Sequence, residues 1–186
     1  MLLALVGVTG VGKSYFVNKI SDKLNFKKVN TIRTRPPRKG ENSKYFMPQE
    51  ELDKMYKEGK IAYKFGVFGG EYGYLKDEIF SKDNMIFEMH YTTIYDWKKV
   101  RPDIKTIYIL PKDIEDAKKK AKERNLSKEK EIERIKEIDE HYTRITTDDE
   151  LRNQFDYFVY NNYDENSEKE VIELVEKILK ENSGLN

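Results

Sequence analysis

The chain has 186 residues, with 35 basic against 34 acidic and a formal net charge of +1, so bulk charge gives no argument for a nucleic-acid or anionic-membrane partner. It has no cysteine, which excludes disulfides, a thiol nucleophile and cysteine-ligated zinc and fits a reducing compartment. The length suits one domain with a full core, and no apolar run is long enough to span a bilayer, so a soluble cytoplasmic protein is expected.

Leu2–Val6 is a short apolar run suited to a buried strand. It enters GVTGVGKS, Gly7 to Ser14, which fits the pattern G-x-x-x-x-G-K-[ST], and helical spacing follows over Lys13–Leu24. The glycines let successive N–H groups point into one hollow at a helix N-terminus, an arrangement that attracts phosphate. In this pattern Lys13 reaches the β- and γ-phosphates of ATP and the Ser14 hydroxyl holds Mg²⁺. A short strand is expected near Lys28–Asn30. Between Lys27 and Lys44 lie seven basic residues and one acidic one. Two prolines stiffen the centre of that stretch and forbid helix, so Arg35 and Arg38 are held apart with forks suited to phosphate oxygens. An exposed basic loop is the alternative reading.

Gln49–Glu58 has helical spacing, and Ile61–Phe65 and Glu71–Tyr74 read as strand-like pieces of an insert rich in Tyr, Phe and Gly. Met85–Met89 and Thr106–Leu110 are predicted strands flanking a helix over Thr92–Val100. The segment Lys112 to Glu140 carries ten basic and ten acidic residues among its 29 and is predicted as helices Ile114–Arg124 and Lys128–Tyr142. Its apolar stripe, Ile132, Ile135 and Ile138, is narrow, which suits either a projecting, moving lid or a static charged hairpin. Lys120 and Arg124 share a helix face there, and Arg134 adds a third cation. Tyr157–Tyr160 closes the strand series, and a helix over Ser167–Glu181 sets Val171, Leu174, Val175, Ile178 and Leu179 on one face. The alternation predicts an α/β P-loop fold in three layers, a mainly parallel sheet flanked by helices. It is read as a single domain with core 1–30, 75–111 and 141–186, an acceptor-binding insert 31–74 and a lid 112–140.

In this order the motifs resemble those of guanylate kinases, P-loop nucleoside monophosphate kinases, along nearly the whole chain. GVTGVGKS matches the family's phosphate loop, and RTRPPRKGE resembles TTRxPRxGE, with Tyr45-Phe46 following as its Y-x-F element does. LDKMYKEGKIAYKFGVFGGEYGY resembles EGEFLEWAxVxGNYYGT, ILPKDIEDAKKKAKERN resembles IxPPSxExLxxRLxxRG, and FDYFVYNN resembles FDYVIVND. The resemblance implies ATP binding by Gly7, Thr9, Gly10, Val11, Gly12, Lys13, Ser14, Tyr15, Lys120 and Arg124. It implies an acceptor phosphate on Arg35, Arg38, Tyr45 and Tyr72, Thr31 facing the base, and Arg124 and Arg134 closing over the transferring group. Lys13, Arg38, Arg124 and Arg134 are the implied catalytic set, acting on small-molecule nucleotides in a monomer or homodimer. Mg²⁺ would take Ser14 and, through water, Glu88.

Departures cluster at the base. Tyr63 and Lys64 stand for the family's Glu and Trp, Tyr74 for a Ser or Thr, and Glu88 and His90 for two aspartates. A tyrosine hydroxyl accepts one hydrogen bond where a carboxylate accepts two, and an unpaired buried donor costs about 1–3 kcal/mol. Glu88 reads as a base or water-mediated Mg²⁺ ligand, or as an ordinary carboxylate. Tyr63, Tyr72, Tyr74 and Tyr91 read as a stacking wall or as insert core. His90 and His141 lack metal-spaced partners. Asn161 and Asn162 read as donor-nucleoside contacts or a plain turn. The expected activity is ATP-dependent phosphorylation of GMP or dGMP. The alternatives are a kinase of another phosphorylated acceptor, such as an unusual nucleotide or ribose 1,5-bisphosphate, and a non-catalytic binding module. The intact loop and its arginines argue against the last.

Overall fold

Leu2–Gly7 (β1) is buried along its whole length because helices cover both of its faces. Leu2, Ala4 and Val6 join one apolar layer and Leu3 and Leu5 the other, the alternation a strand imposes. The computed structural model describes residues 1–37, 43–67, 69–123, 127–182 and 184. After β1 come α1 (Lys13–Leu24), β2 (Lys27–Lys28), β3 (Thr31–Arg33), α2 (Gln49–Lys57), β4 (Ile61–Val67), β5 (Gly70–Leu75) and α3 (Lys76–Ile79). Then follow β6 (Met85–Glu88), α4 (Ile94–Val100), β7 (Lys105–Pro111), α5 (Ile114–Lys122), α6 (Lys128–Thr147), α7 (Asp149–Arg152), β8 (Tyr157–Asn161) and α8 (Glu165–Asn182).

Five strands form a parallel sheet in the order β2-β6-β1-β7-β8. Its C-terminal edge carries the glycine loop after β1 and Glu88 at the end of β6, the usual place for a site in such a sheet. Helices α1 and α8 cover one face through Phe16, Ile20, Val171, Val175 and Ile178. On α8 the expected stripe is present, with Leu174 and Leu179 partly buried at its margin. The insert is a second, antiparallel sheet ordered β3-β5-β4. Its pairing sets Thr31 opposite Tyr74 and Arg33 opposite Tyr72, while Phe65 faces Tyr72 from the other side. Side chains of one face therefore run Arg33, Tyr72, Phe65 across the three strands.

Four features differ from the sequence expectation. Strand β3 and the short helices α3 and α7 were not anticipated, since each depends on partners distant in sequence. The strand expected near Lys28–Asn30 is Lys27–Lys28. Helix α5 ends at Lys122, and α6 runs on to Thr147. The charged hairpin is also seated more firmly than a narrow stripe suggested. Ile138 is 0% exposed among Ala117 and Ala121 of α5, whereas Ile132 is 62% exposed. Lys118 ties the pair by bonding Asp139 at 2.7 Å.

Trp97 on α4 joins the two sheets. It is 0% exposed and meets Phe87 of β6 at 4.8 Å and Tyr74 of β5 at 4.9 Å between ring centroids. Trp97→Ala is expected to lower the unfolding free energy by about 3–5 kcal/mol. The urea midpoint at unchanged slope measures this, and a loss below about 1 kcal/mol would show that the ring does not hold the sheets together.

Candidate active site

A cleft of about 430 Å³ opens where the two sheets meet. Its floor is the glycine loop. Gly12, at φ 93°, caps α1 in the left-handed region, where a side chain is strained. A Cβ on Gly10, at φ 86°, would stand 2.3 Å from the Ala117 carbonyl oxygen. The loop is also held from β8. The buried Asn161 donates Nδ2–H to the Val11 carbonyl at 2.9 Å and accepts from Tyr163 N–H at 2.7 Å. Asn161 is thus a support of the loop and not a bare turn.

Lys13 Nζ donates to the carbonyls of Gly7 and Val8 at 2.8 and 3.0 Å, its ammonium lying over the loop. Ser14 Oγ donates to Glu88 Oε1 at 2.6 Å, bringing together the two groups expected at a metal. Gly7, Thr9, Lys13, Ser14, Thr31, Arg35, Tyr72, Tyr74, Glu88 and Arg134 all line the main cleft. Gly10, Gly12, Tyr15 and Lys120 line an adjoining hollow of about 220 Å³ shared with Lys13, Ser14 and Glu88. Lys120 there bonds Glu123 at 3.0 Å. Arg38 and Arg124 lie outside the described residues.

Three expected residues line neither cleft. Val11 is buried in the apolar layer with Leu3, Leu5 and Phe16. Tyr45 has the Lys44 ammonium 5.6 Å over its ring. Tyr63 donates its hydroxyl to Asp96 Oδ2 at 3.2 Å and packs on Trp97 at 5.0 Å. Burial and then the Asp96 charge push the Tyr63 hydroxyl well above its ordinary range, so it stays protonated. Lys64, beside it, bonds Asp53 at 2.6 Å and Glu71 at 2.9 Å on the other face of the hairpin. The position that holds a carboxylate in the resembling family is here spent on joining insert to core.

The cleft also holds residues that the sequence reading did not select, among them Arg33, Phe65, Glu137 and His141. Arg33 and Arg35 both stack on Phe46, at 5.7 and 5.3 Å, and Arg35 Nε donates to Tyr72 Oη at 3.3 Å. Strand alternation through Thr31, Arg33 and Arg35 was the available signal. Arg134, Glu137 and His141 sit on one side of α6, and Arg134 bonds Glu137 at 2.6 Å. Guanidinium groups thus approach the cleft from the insert and from α6, with the Lys13 loop beneath them. Such a set holds two phosphorylated molecules near one point and neutralises charge between them. Oxygen donors alone meet at Ser14 and Glu88, which suits a hard cation such as Mg²⁺ that keeps water and phosphate in its shell. Among the described residues no cluster of three or more His, Cys, Asp or Glu forms a metal cage, and no helix is long and apolar enough to cross a membrane.

A family model described as guanylate kinase matches residues 1–178. A guanylate kinase of Wolbachia pipientis wMel is 28% identical over 192 residues, spanning 95% of this chain and 90% of that protein. One from Wolbachia sp. subsp. Brugia malayi (strain TRS) is 25% identical over 197 residues, spanning 100% and 96%. The crystal structure of guanylate kinase from Anaplasma phagocytophilum superposes with a TM-score of 0.69 at 20% identity, covering 98% of this chain and 85% of that one, a likeness of fold.

His141 has an electrostatic consequence for stability. Burial first, then the nearby Lys13, His90 and Arg144, bring its pKa down to about 2. The folded protein keeps the ring neutral where the unfolded chain protonates it, below about 6.5. Stability from this source is therefore complete above pH about 6.5 and falls towards the folded value, by up to about 1.4 kcal/mol per pH unit. Thermal unfolding between pH 7 and 5 should show a steeper acid loss in the wild type than in His141→Phe; parallel curves would mean that the imidazole is not held neutral.

Proposed function

Because the chain belongs to the guanylate kinase family, we propose that it transfers the γ-phosphate of ATP to GMP or dGMP, giving ADP and GDP or dGDP. One observation carries the reading. The phosphate loop, with Lys13 and Ser14, opens into the same cleft as Arg33, Arg35 and Tyr72 of the insert and Arg134 of α6. An oxygen of the acceptor phosphate attacks the γ-phosphorus in line while the bond to the β–γ bridging oxygen breaks and ADP leaves with the electron pair. The chain supplies position and positive charge and forms no covalent intermediate. Loop N–H groups and Lys13 take the donor phosphates, Lys120 faces the donor side, and Arg33, Arg35 and Tyr72 take the acceptor phosphate. Arg38 and Arg124 extend these two groups by their place in the sequence. Mg²⁺ would be held by Ser14 directly and by Glu88 through water, and when bound it neutralises charge on the β- and γ-phosphates. The reading assigns a cytoplasmic enzyme of free nucleotides, in keeping with a net charge of +1.

Lys13→Ala is expected to lower ATP-dependent turnover of GMP about a thousandfold or more with an unchanged circular dichroism spectrum; near-normal turnover would sink the mechanism. A panel of nucleoside monophosphates and ribose 1,5-bisphosphate tests the acceptor, and transfer only to a non-purine would overturn GMP. Asn161→Ala should raise the ATP KM about ten- to a hundredfold through the released loop and leave the GMP KM little changed. Equal losses on both substrates would count against a loop-supporting role.

A further inference from the structure

The geometry points to His141 as a residue that reads the acceptor base, presenting one ring N–H that a 6-keto purine accepts and a 6-amino purine does not. The inference rests on the nucleotide-kinase reading above.

His141 lines the cleft while only 4% exposed, so its orientation is set by its neighbours. Its face lies on Tyr91, with ring centroids 3.6 Å apart and planes 21° from parallel. Its Nε2 is 2.5 Å from the hydroxyl of Tyr108 on β7, a buried side chain. That hydroxyl has no other hydrogen-bond partner among the described residues, and burial raises its pKa, so it keeps its hydrogen. A buried phenol hydrogen without an acceptor would cost about 1–3 kcal/mol. Tyr108 therefore donates to Nε2. A neutral imidazole that accepts at Nε2 carries its own hydrogen on Nδ1. Nδ1 has no partner among the described residues.

The surroundings suit a purine. Rings cross the cleft from insert to α6, with Phe65 6.3 Å from His90 and His90 6.2 Å from His141. Arg33 and Arg35 stand at the Tyr72 end, and Arg134 lies two turns before His141 on α6, held by Glu137, so the aromatic belt between them is left for the base. The two carboxylates of the cleft are engaged, Glu88 by Ser14 and Glu137 by Arg134. Guanine and hypoxanthine offer the carbonyl O6 to an N–H. Adenine offers an amino group there, and two facing donors leave both unpaired.

The test uses initial rates of the full chain with ATP and GMP, IMP or AMP. In His141→Phe the ratio of kcat/KM for GMP over AMP should fall about tenfold, with IMP following GMP. His141→Asn, whose amide N–H lies near the place of Nδ1–H, should keep the ratio. If all three acceptors fall together in His141→Phe and the ratio stays, the ring is a packing residue and the assignment is overturned. Nitrogen-15 NMR of the imidazole in the wild type does not depend on either variant folding; the Nδ1–H tautomer is expected, and the Nε2–H tautomer would overturn it. Turnover of GMP by the wild type tests the kinase reading separately, so the two ideas fail in different experiments.

Discussion

The phosphate loop depends on being clasped by elements far from it in sequence. At Gly10 the backbone passes so close to Ala117 that no side chain fits, and at Gly12 a Cβ would lie 2.9 Å from Asn161 Nδ2. The Asn161 amide then bonds the Val11 carbonyl. Glycines supply the freedom to adopt left-handed φ, but α5 and the end of β8 decide which of the accessible shapes is kept. A hollow of N–H groups binds phosphate well only if it need not be reorganised on binding, so the clasp belongs to the chemistry as much as to the fold.

The second constraint is the aromatic joint between the sheets. Tyr74 packs edge to face on Phe87 and on Trp97, Phe87 lies tilted against Trp97, and Tyr63 adds a hydroxyl bond to Asp96. This joint sets the distance between the phosphate loop and Arg33 of β3 with Arg35 just beyond it. It also accounts for the absence of a carboxylate at position 63. A group bonded across to α4 stabilises the insert against the core, and it cannot at the same time face a base.

Legibility followed the range of the interactions. The apolar strands β1, β6, β7 and β8 and the loop GVTGVGKS are local patterns, and they stand where periodicity and glycine spacing put them. Strand β3 has a single apolar residue, Ile32, and exists through its pairing with β5. Arg33 was hidden in a basic run until that pairing turned it onto the face of Tyr72. The sequence pattern ends helix α6 five residues short, at a histidine and tyrosine, His141 and Tyr142. A buried, bonded histidine takes an apolar position in the stripe Ile138, His141, Ile145, and a polarity-based reading cannot see that. Asn161 reads as a donor-nucleoside contact or a turn residue for the same reason, although its amide holds the Val11 carbonyl.

The length of α6 changes how closure should be pictured. One helix carries Arg134, on the half with an exposed Ile132, and His141, buried against Tyr91 and Tyr108. A helix transmits rotation along its axis without a joint unless a proline, glycine pair or bulge interrupts it, and residues 128–147 contain no proline or glycine. Tilting the outer half, with Arg134, therefore loads the contacts that His141 makes with Tyr91 and Tyr108. In such a body the charged outer turns and the buried His141 end are two ends of one lever. On the proposed reading, an acceptor that orders the His141 end also favours the position of Arg134, because a ligand shifts a conformational equilibrium by its differential affinity for the two states. The seam between lid and core at 140/141, natural on charge alone, falls inside that lever.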